Sequence, residues 1–174
     1  MIPFLPSYIP PDVDMNVVKA DVADDGVSVP PVDAADVPAL RQVVEEAKQK
    51  GIDLKIVVIE KNPPIDTPLR DIATDVGHAY PGSTVLAISP TWAGTYSTTF
   101  DRVTLEAGQD VAKTGDPVQS SKNFVSELTT QHFPWTPFTI VVVVAVLAAV
   151  VATRVLQVRG KRAAAANAAS NTPD

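Results

Sequence analysis

The sequence predicts a small α/β domain, a mixed sheet of about four strands sandwiched by helices, followed by one transmembrane helix. Three observations carry this prediction. Two short and mostly apolar runs, Leu54–Ile59 (LKIVVI) and Thr84–Ile88 (TVLAI), read as strands buried on both faces. The segments beside them repeat apolar residues at the spacing of an amphipathic helix. Between Leu128 and Thr153 the chain carries no Asp, Glu, Lys or Arg.

Taken in order, residues 1–31 are rich in Pro and Asp and predict an extended arm, with at most short strands at Val17–Val22 and Val27–Val29. Residues 32–133 form the α/β domain. Val37, Leu40, Val43, Val44 and Ala47 mark one face of its first helix. Asp33 or Asp36 suits the N-cap, Pro38 fits a first turn, and Gly51 suits the C′ position. After the strand Leu54–Ile59, Asp66–Pro68 opens a second helix with Leu69, Ile72, Ala73 and Val76 inward. A strand, a helix and another strand of these lengths predict a right-handed βαβ unit with parallel strands. Ser89–Ser97 reads as a turn-rich loop. Arg102–Glu106 alternates, with Val103 and Leu105 on one side, and predicts a half-exposed antiparallel strand. Ala107–Gly115 is a helical turn or loop. Val118, Ser121, Val125 and Leu128, with Phe124 beside them, predict a helix over Pro117–His132.

Residues 135–155 have the length of about 20 residues that a helix needs to cross a membrane, and Ile140–Ala152 has no polar side chain. Phe133, Trp135 and Phe138 suit the interface at one end, and Arg154 can snorkel at the other. Arg159, Lys161 and Arg162 follow, whereas the N-terminal side has only Lys122 nearby. The positive-inside bias therefore predicts a cytoplasmic tail, basic and then disordered over 156–174, and an extracytoplasmic domain. Met1–Pro10 lacks the pattern of a signal peptide, which keeps a tail-anchored protein with a cytoplasmic domain as the alternative. Ala145, Ala148, Ala149 and Ala152 include small-xxx-small pairs that predict a weak homodimer through the anchor.

The net charge of −6 makes nucleic acid an unsuitable partner. With no cysteine, disulfides, thiolate metal sites and Cys nucleophiles are excluded. No phosphate loop, dinucleotide fingerprint, nucleophile elbow or paired-histidine motif occurs. His78 reads as a charge partner for a helix C-terminus and His132 as an interfacial residue. Asp21, Asp24 and Asp25 before Gly26 read as a solvated acidic loop rather than a Ca²⁺ loop. Trp92, Tyr96 and Phe100 flank Gly94; they suit either a partner-binding loop or the cover of a sheet edge.

In the order of its segments VVEEAKQKGI, LKIVVIE, PGSTVLAIS and RVTLEAGQDV, then a helix, an anchor and a basic tail, the chain resembles the TPM-domain family. It is most similar to a divergent branch of short single-pass membrane proteins of mycobacteria and corynebacteria. The resemblance implies a sandwiched sheet and an extracytoplasmic location. It also implies either acid phosphatase activity with a divalent cation, found in some members, or an assembly role. The acidic residues expected before the Gly-Val-Leu-Leu-like strand are replaced by Ala79, Tyr80, Pro81 and Gly82. A residual metal site would fall at Asp101, Glu106 and Asp110 in the matching segment. The resulting expectation is a non-enzymatic interaction module without cofactor, bound to envelope or cell-wall proteins. A weak metal-dependent phosphatase and a cytoplasmic adaptor are the alternatives.

Overall fold

A computed structural model describes residues 8–130 and 135–170, with the backbone alone at 135–136, 163 and 165–170. It comprises two units, Met1–Thr130 and Gln131–Asp174. The first is built on a sheet of strands β1 (Val27–Ser28), β2 (Leu54–Val58), β3 (Thr84–Ile88) and β4 (Ala93–Ser97), hydrogen-bonded in that order. β1, β2 and β3 are parallel, with Ile56 opposite both Val27 and Leu86; β4 runs antiparallel to β3.

The alternation of side chains along a strand sends β2 and β3 into two separate cores. Leu54, Ile56, Val58, Leu86 and Ile88 join one cluster with α2 (Val37–Gln49), α4 (Arg102–Val111) and α5 (Pro117–Thr129). Val57, Val85 and Ala87 join the other with α1 (Met15–Asp24) and α3 (Thr67–Ala79). Leu40, Leu69, Ile72 and Val76 are each fully buried, which contributes about 1.5–3 kcal/mol per side chain. β2, α3 and β3 form the expected βαβ unit with parallel strands. Its neighbour β1–α2–β2 steps across the sheet in the same direction with its helix on the opposite face. The two crossovers therefore have opposite hands, and the right-handed preference holds for only one of them.

Local chemistry sets the helix ends. α2 stops in a Schellman motif: Gly51, at φ +81°, donates to the Lys48 carbonyl and Ile52 donates to the Ala47 carbonyl. The start of α2 differs from expectation. Neither Asp33 nor Asp36 caps it; a 3-10 turn over Pro31–Asp36 leads in instead.

Three further expectations about the first unit need correction. The arm over 1–31 contains the helix α1 where a strand was expected. Asp14 caps it by accepting from the Asn16 N–H, and Val18 and Val22 supply a narrow buried stripe. α1 is tied to α3 by the Lys19–Asp75 ion pair at 2.7 Å and by the Tyr80 hydroxyl, which donates to the Lys19 carbonyl at 2.6 Å. Secondly, Arg102–Glu106 is the start of α4, not a strand. Asp101 accepts from the Thr104 N–H as N-cap, and Leu105, Gly108 and Gln109 bury at helical spacing. Val103, the other half of the supposed alternation, is 77% exposed. Thirdly, the loop Ser89–Ser97 contains β4.

The second unit is α6 (Trp135–Ser170), whose segment Pro137–Arg162 is long and apolar enough to cross a membrane. Its valines and leucines are exposed, Val142 and Leu147 among them, as lipid-facing side chains would be. The helix continues past Val155 through Arg159, Lys161 and Arg162 to Ser170, where a disordered tail was expected. Ala-rich sequence has high helix propensity and carries it on. His132, Phe133, Pro134 and the Trp135 side chain lie outside the described residues.

β4 depends on close approach to α3. A Cβ on Gly94 would stand 2.4 Å from the backbone of Leu69 and Arg70. Gly94→Ala must push α3 away from the sheet and is expected to cost about 1–3 kcal/mol, as overpacked cores do. Denaturant unfolding of the variant beside the parent chain measures this; an unchanged midpoint would show that α3 is free to move.

Candidate functional site at the carboxyl ends of the parallel strands

In open α/β sheets, ligands bind outside the carboxyl ends of the strands, because the loops there bring side chains from several segments together. Here those ends are Ser28, Val58 and Ile88, and two cavities open beyond them. One, of about 200 Å³, is lined by Asp33, Glu60, Ser89 and Asp116. The other, of about 340 Å³, is lined by Asp14, Asp21, Glu60 and Lys61. Val58, Ile59 and Glu60 wall both, so the end of β2 divides one acidic crevice into two lobes.

The hydrogen bonds fix its walls. Asn62 accepts from the Ser89 hydroxyl at 2.8 Å and from the Thr91 N–H at 2.9 Å, binding the loop after β2 to the β3–β4 turn. Asp21 accepts from the Ser28 hydroxyl at 2.9 Å. Asp14 caps α1, and Asp116 caps α5 by accepting from the Gln119 N–H. Burial pushes the Asp33 carboxyl above its ordinary value, and the charges of Asp36 and Glu60 add to the shift. An array of this kind attracts cations or basic groups. Among the described residues, however, no three carboxylates or histidines stand close enough to share a metal ion.

The expected site residues are placed elsewhere. Asp101 is the cap of α4, Glu106 pairs with Arg102 at 2.7 Å, and Asp110 pairs with Lys113 at 2.8 Å. They are strung along one helix and hold the local structure, so the structure does not gather them as metal ligands. Trp92, Tyr96 and Phe100 are also separated. Trp92 and Tyr96 pack against the α1/α3 core, and Phe100 packs against the opposite core. Tyr96 meets His78 edge-on, with ring centroids 5.4 Å apart. Of the three aspartates expected in a solvated acidic loop, Asp21 and Asp24 lie in α1, and Asp25, its C-cap, accepts from the Val27 N–H and pairs with Arg41. Phe138, Arg154, Arg159, Lys161 and Arg162 lie exposed on α6.

Asp33, Glu60 and Asp116 form a group that the sequence reading missed. The available signal was position: the residues that directly follow apolar strands, such as Glu60 after Ile59, are the ones a parallel sheet turns toward its crevice.

Asp33 generates a pH prediction. Between 3.8, its ordinary value, and its raised folded value, Asp33 holds more proton folded than unfolded. Stability from this group therefore falls as pH rises through that window, and the ionised carboxylate is a cost at neutrality. Asp33→Asn is expected to raise the thermal midpoint at pH 7, with the gain vanishing below pH 3.8. Melting curves over that range check it; a lower midpoint at pH 7 would mean that the carboxylate stabilises the fold.

Comparison with known proteins gives the family. The family model described as Membrane protein Rv1476 matches residues 8–167, covering the sheet domain and most of α6. Membrane protein Rv1476 of Mycobacterium tuberculosis (strain ATCC 25618 / H37Rv) is 59% identical over 163 residues, spanning 94% of this chain and 86% of that protein. The solution NMR structure of the N-terminal domain of the cg2496 protein from Corynebacterium glutamicum superposes with a TM-score of 0.49 at 14% identity, covering 70% of this chain and 84% of that one. With nearly its whole length matched, sheet domain and apolar helix together, the chain belongs to the Rv1476 family of membrane proteins.

Proposed function

We propose that this membrane protein is a non-enzymatic interaction module of the cell envelope, with its sheet domain outside the cytoplasm and the basic end of α6 inside. The observation that carries the reading is the charge distribution about the apolar segment. Ten basic and nineteen acidic side chains precede Arg154, whereas Arg154, Arg159, Lys161 and Arg162 fall within nine residues at the other end. That asymmetry favours retention of the C-terminal flank in the cytoplasm. A domain held on a surface meets membrane-bound partners at high effective concentration, so that modest contacts suffice.

A binding role is supported by the work the carboxylates already do. Asp101, Glu106 and Asp110 are occupied in a helix cap and two ion pairs. Hydrolysis of a phosphoester would require an activated nucleophile or a metal to stabilise developing charge. The resemblance to the TPM-domain family, read from the segment order, is compatible with its assembly-type members.

Two measurements test the proposal. Added protease should degrade the sheet domain on intact spheroplasts, and protection would favour the cytoplasmic adaptor. Crosslinking and pull-down of the full chain from membranes should recover envelope proteins. Phosphatase activity in the presence of Mg²⁺ or Mn²⁺ that Glu106→Ala abolishes would overturn the non-enzymatic assignment. The same substitution is expected to change stability by no more than ~0.5 kcal/mol, because the Arg102–Glu106 pair is solvent-exposed.

A further inference from the structure

Among the described residues, β4 is an edge strand with one side unpaired. The direction of its free backbone groups follows from the ladder. The Ser89 N–H donates to the Trp92 carbonyl at 2.9 Å. Alternation along the antiparallel register then points the N–H and C=O of Gly94 and Tyr96 toward β3. Those of Ala93, Thr95 and Ser97 point to the open side. β1, the opposite edge, is two residues long. β4 is five residues long and contains no proline and no charged residue, so it lacks the devices that usually blunt an exposed edge.

The open side of β4 lies in a cleft of about 250 Å³ between α3 and α4. Arg70 and Thr74 form one wall, and Arg102, Glu106 and Gln109 form the other. The Thr95 hydroxyl contacts the Gln109 side chain at 3.4 Å, a contact that does not use the Thr95 backbone. The charge at the rim is unbalanced. Glu106 is held by Arg102, whereas Arg70 is exposed and has no ion pair among the described residues. Because the α3 backbone at Arg70 lies against Gly94, that free cation stands directly beside the edge.

We infer that the β4 edge is the docking site of the interaction module, taking an extended segment of a protein partner that adds a fifth strand and sets an acidic side chain against Arg70. The inference rests on the interaction reading above. Main-chain hydrogen bonds to Thr95 and Ser97 supply the affinity, and the Arg70–carboxylate pair selects the segment. Symmetrical pairing with a second copy is disfavoured, because it brings two Arg70 guanidinium groups to the same face of the joined sheet.

The full chain in lipid nanodiscs tests this, with a phage-displayed library of random ten-residue peptides as the probe. Enriched peptides should carry Asp or Glu among β-formers. Their binding should slow hydrogen exchange at the Thr95 and Ser97 amides at least tenfold. Arg70→Glu, at an exposed position in the first turn of α3, should weaken capture of those peptides at least tenfold and turn selection toward Lys- and Arg-bearing ones. Thr95→Pro removes the outward N–H while sparing the ladder to β3, and should abolish capture. Enrichment without acidic preference, failure to enrich, or binding that leaves these amides exchanging freely overturns the proposal. So does slow exchange of both amides in a peptide-free dimer, which assigns the edge to a second copy. If crosslinked envelope partners are recovered unchanged from Arg70→Glu and Thr95→Pro chains, the edge is excluded while the interaction module stands; if none is recovered from the parent chain, the module itself fails.

Discussion

Burial of the sheet on both faces is the constraint on which the rest of the domain depends. β3 is buried at every position, and of β2 only Lys55 is less than buried. Successive residues therefore need apolar cover from opposite directions. α2, α4 and α5 supply it on one side and α1 with α3 on the other. This requirement turns the N-terminal segment into structure: without Val18 and Val22, the face carrying Val57 would have α3 alone. It also explains the opposite hands of the two crossovers, since one helix is sent to each face in turn. The same demand presses α3 onto β4 so closely that only glycine fits at position 94.

The parts legible in the sequence are those where one strong signal acts locally. α2, β2, α3 and β3 were readable because their apolar residues are dense and regularly spaced, and Gly51 marks its turn through a conformation that suits glycine. β4 was not readable. Its sequence, AGTYS, is small at the buried end because a neighbouring helix takes the space, and that neighbour is distant in the chain. α4 was misread because Val103 and Leu105 mimic alternation, although one is exposed. α1 has only two buried side chains, Val18 and Val22, too few for periodicity to stand out against its aspartates.

Site residues were harder still. Aromatic residues close in sequence suggested one surface, but the turn after β4 takes Phe100 to the other core. The carboxylates of the candidate crevice come from the connection after β1, the end of β2 and the cap of α5. Only the sheet topology brings them together, and no spacing rule in the sequence encodes that. The anchor was legible for the opposite reason. A segment apolar on every side needs no partner within the chain to be recognised, only a solvent other than water.

The length of α6 has a mechanical consequence. A helix of 36 residues measures about 54 Å, whereas the hydrocarbon layer is about 30 Å thick. Roughly 20 Å of it must project beyond the hydrocarbon as a stiff stalk. Arg159, Lys161 and Arg162 are then fixed in height and bearing on a rod. Any rotation or tilt of the helix moves them as one body, in the manner of a pointer.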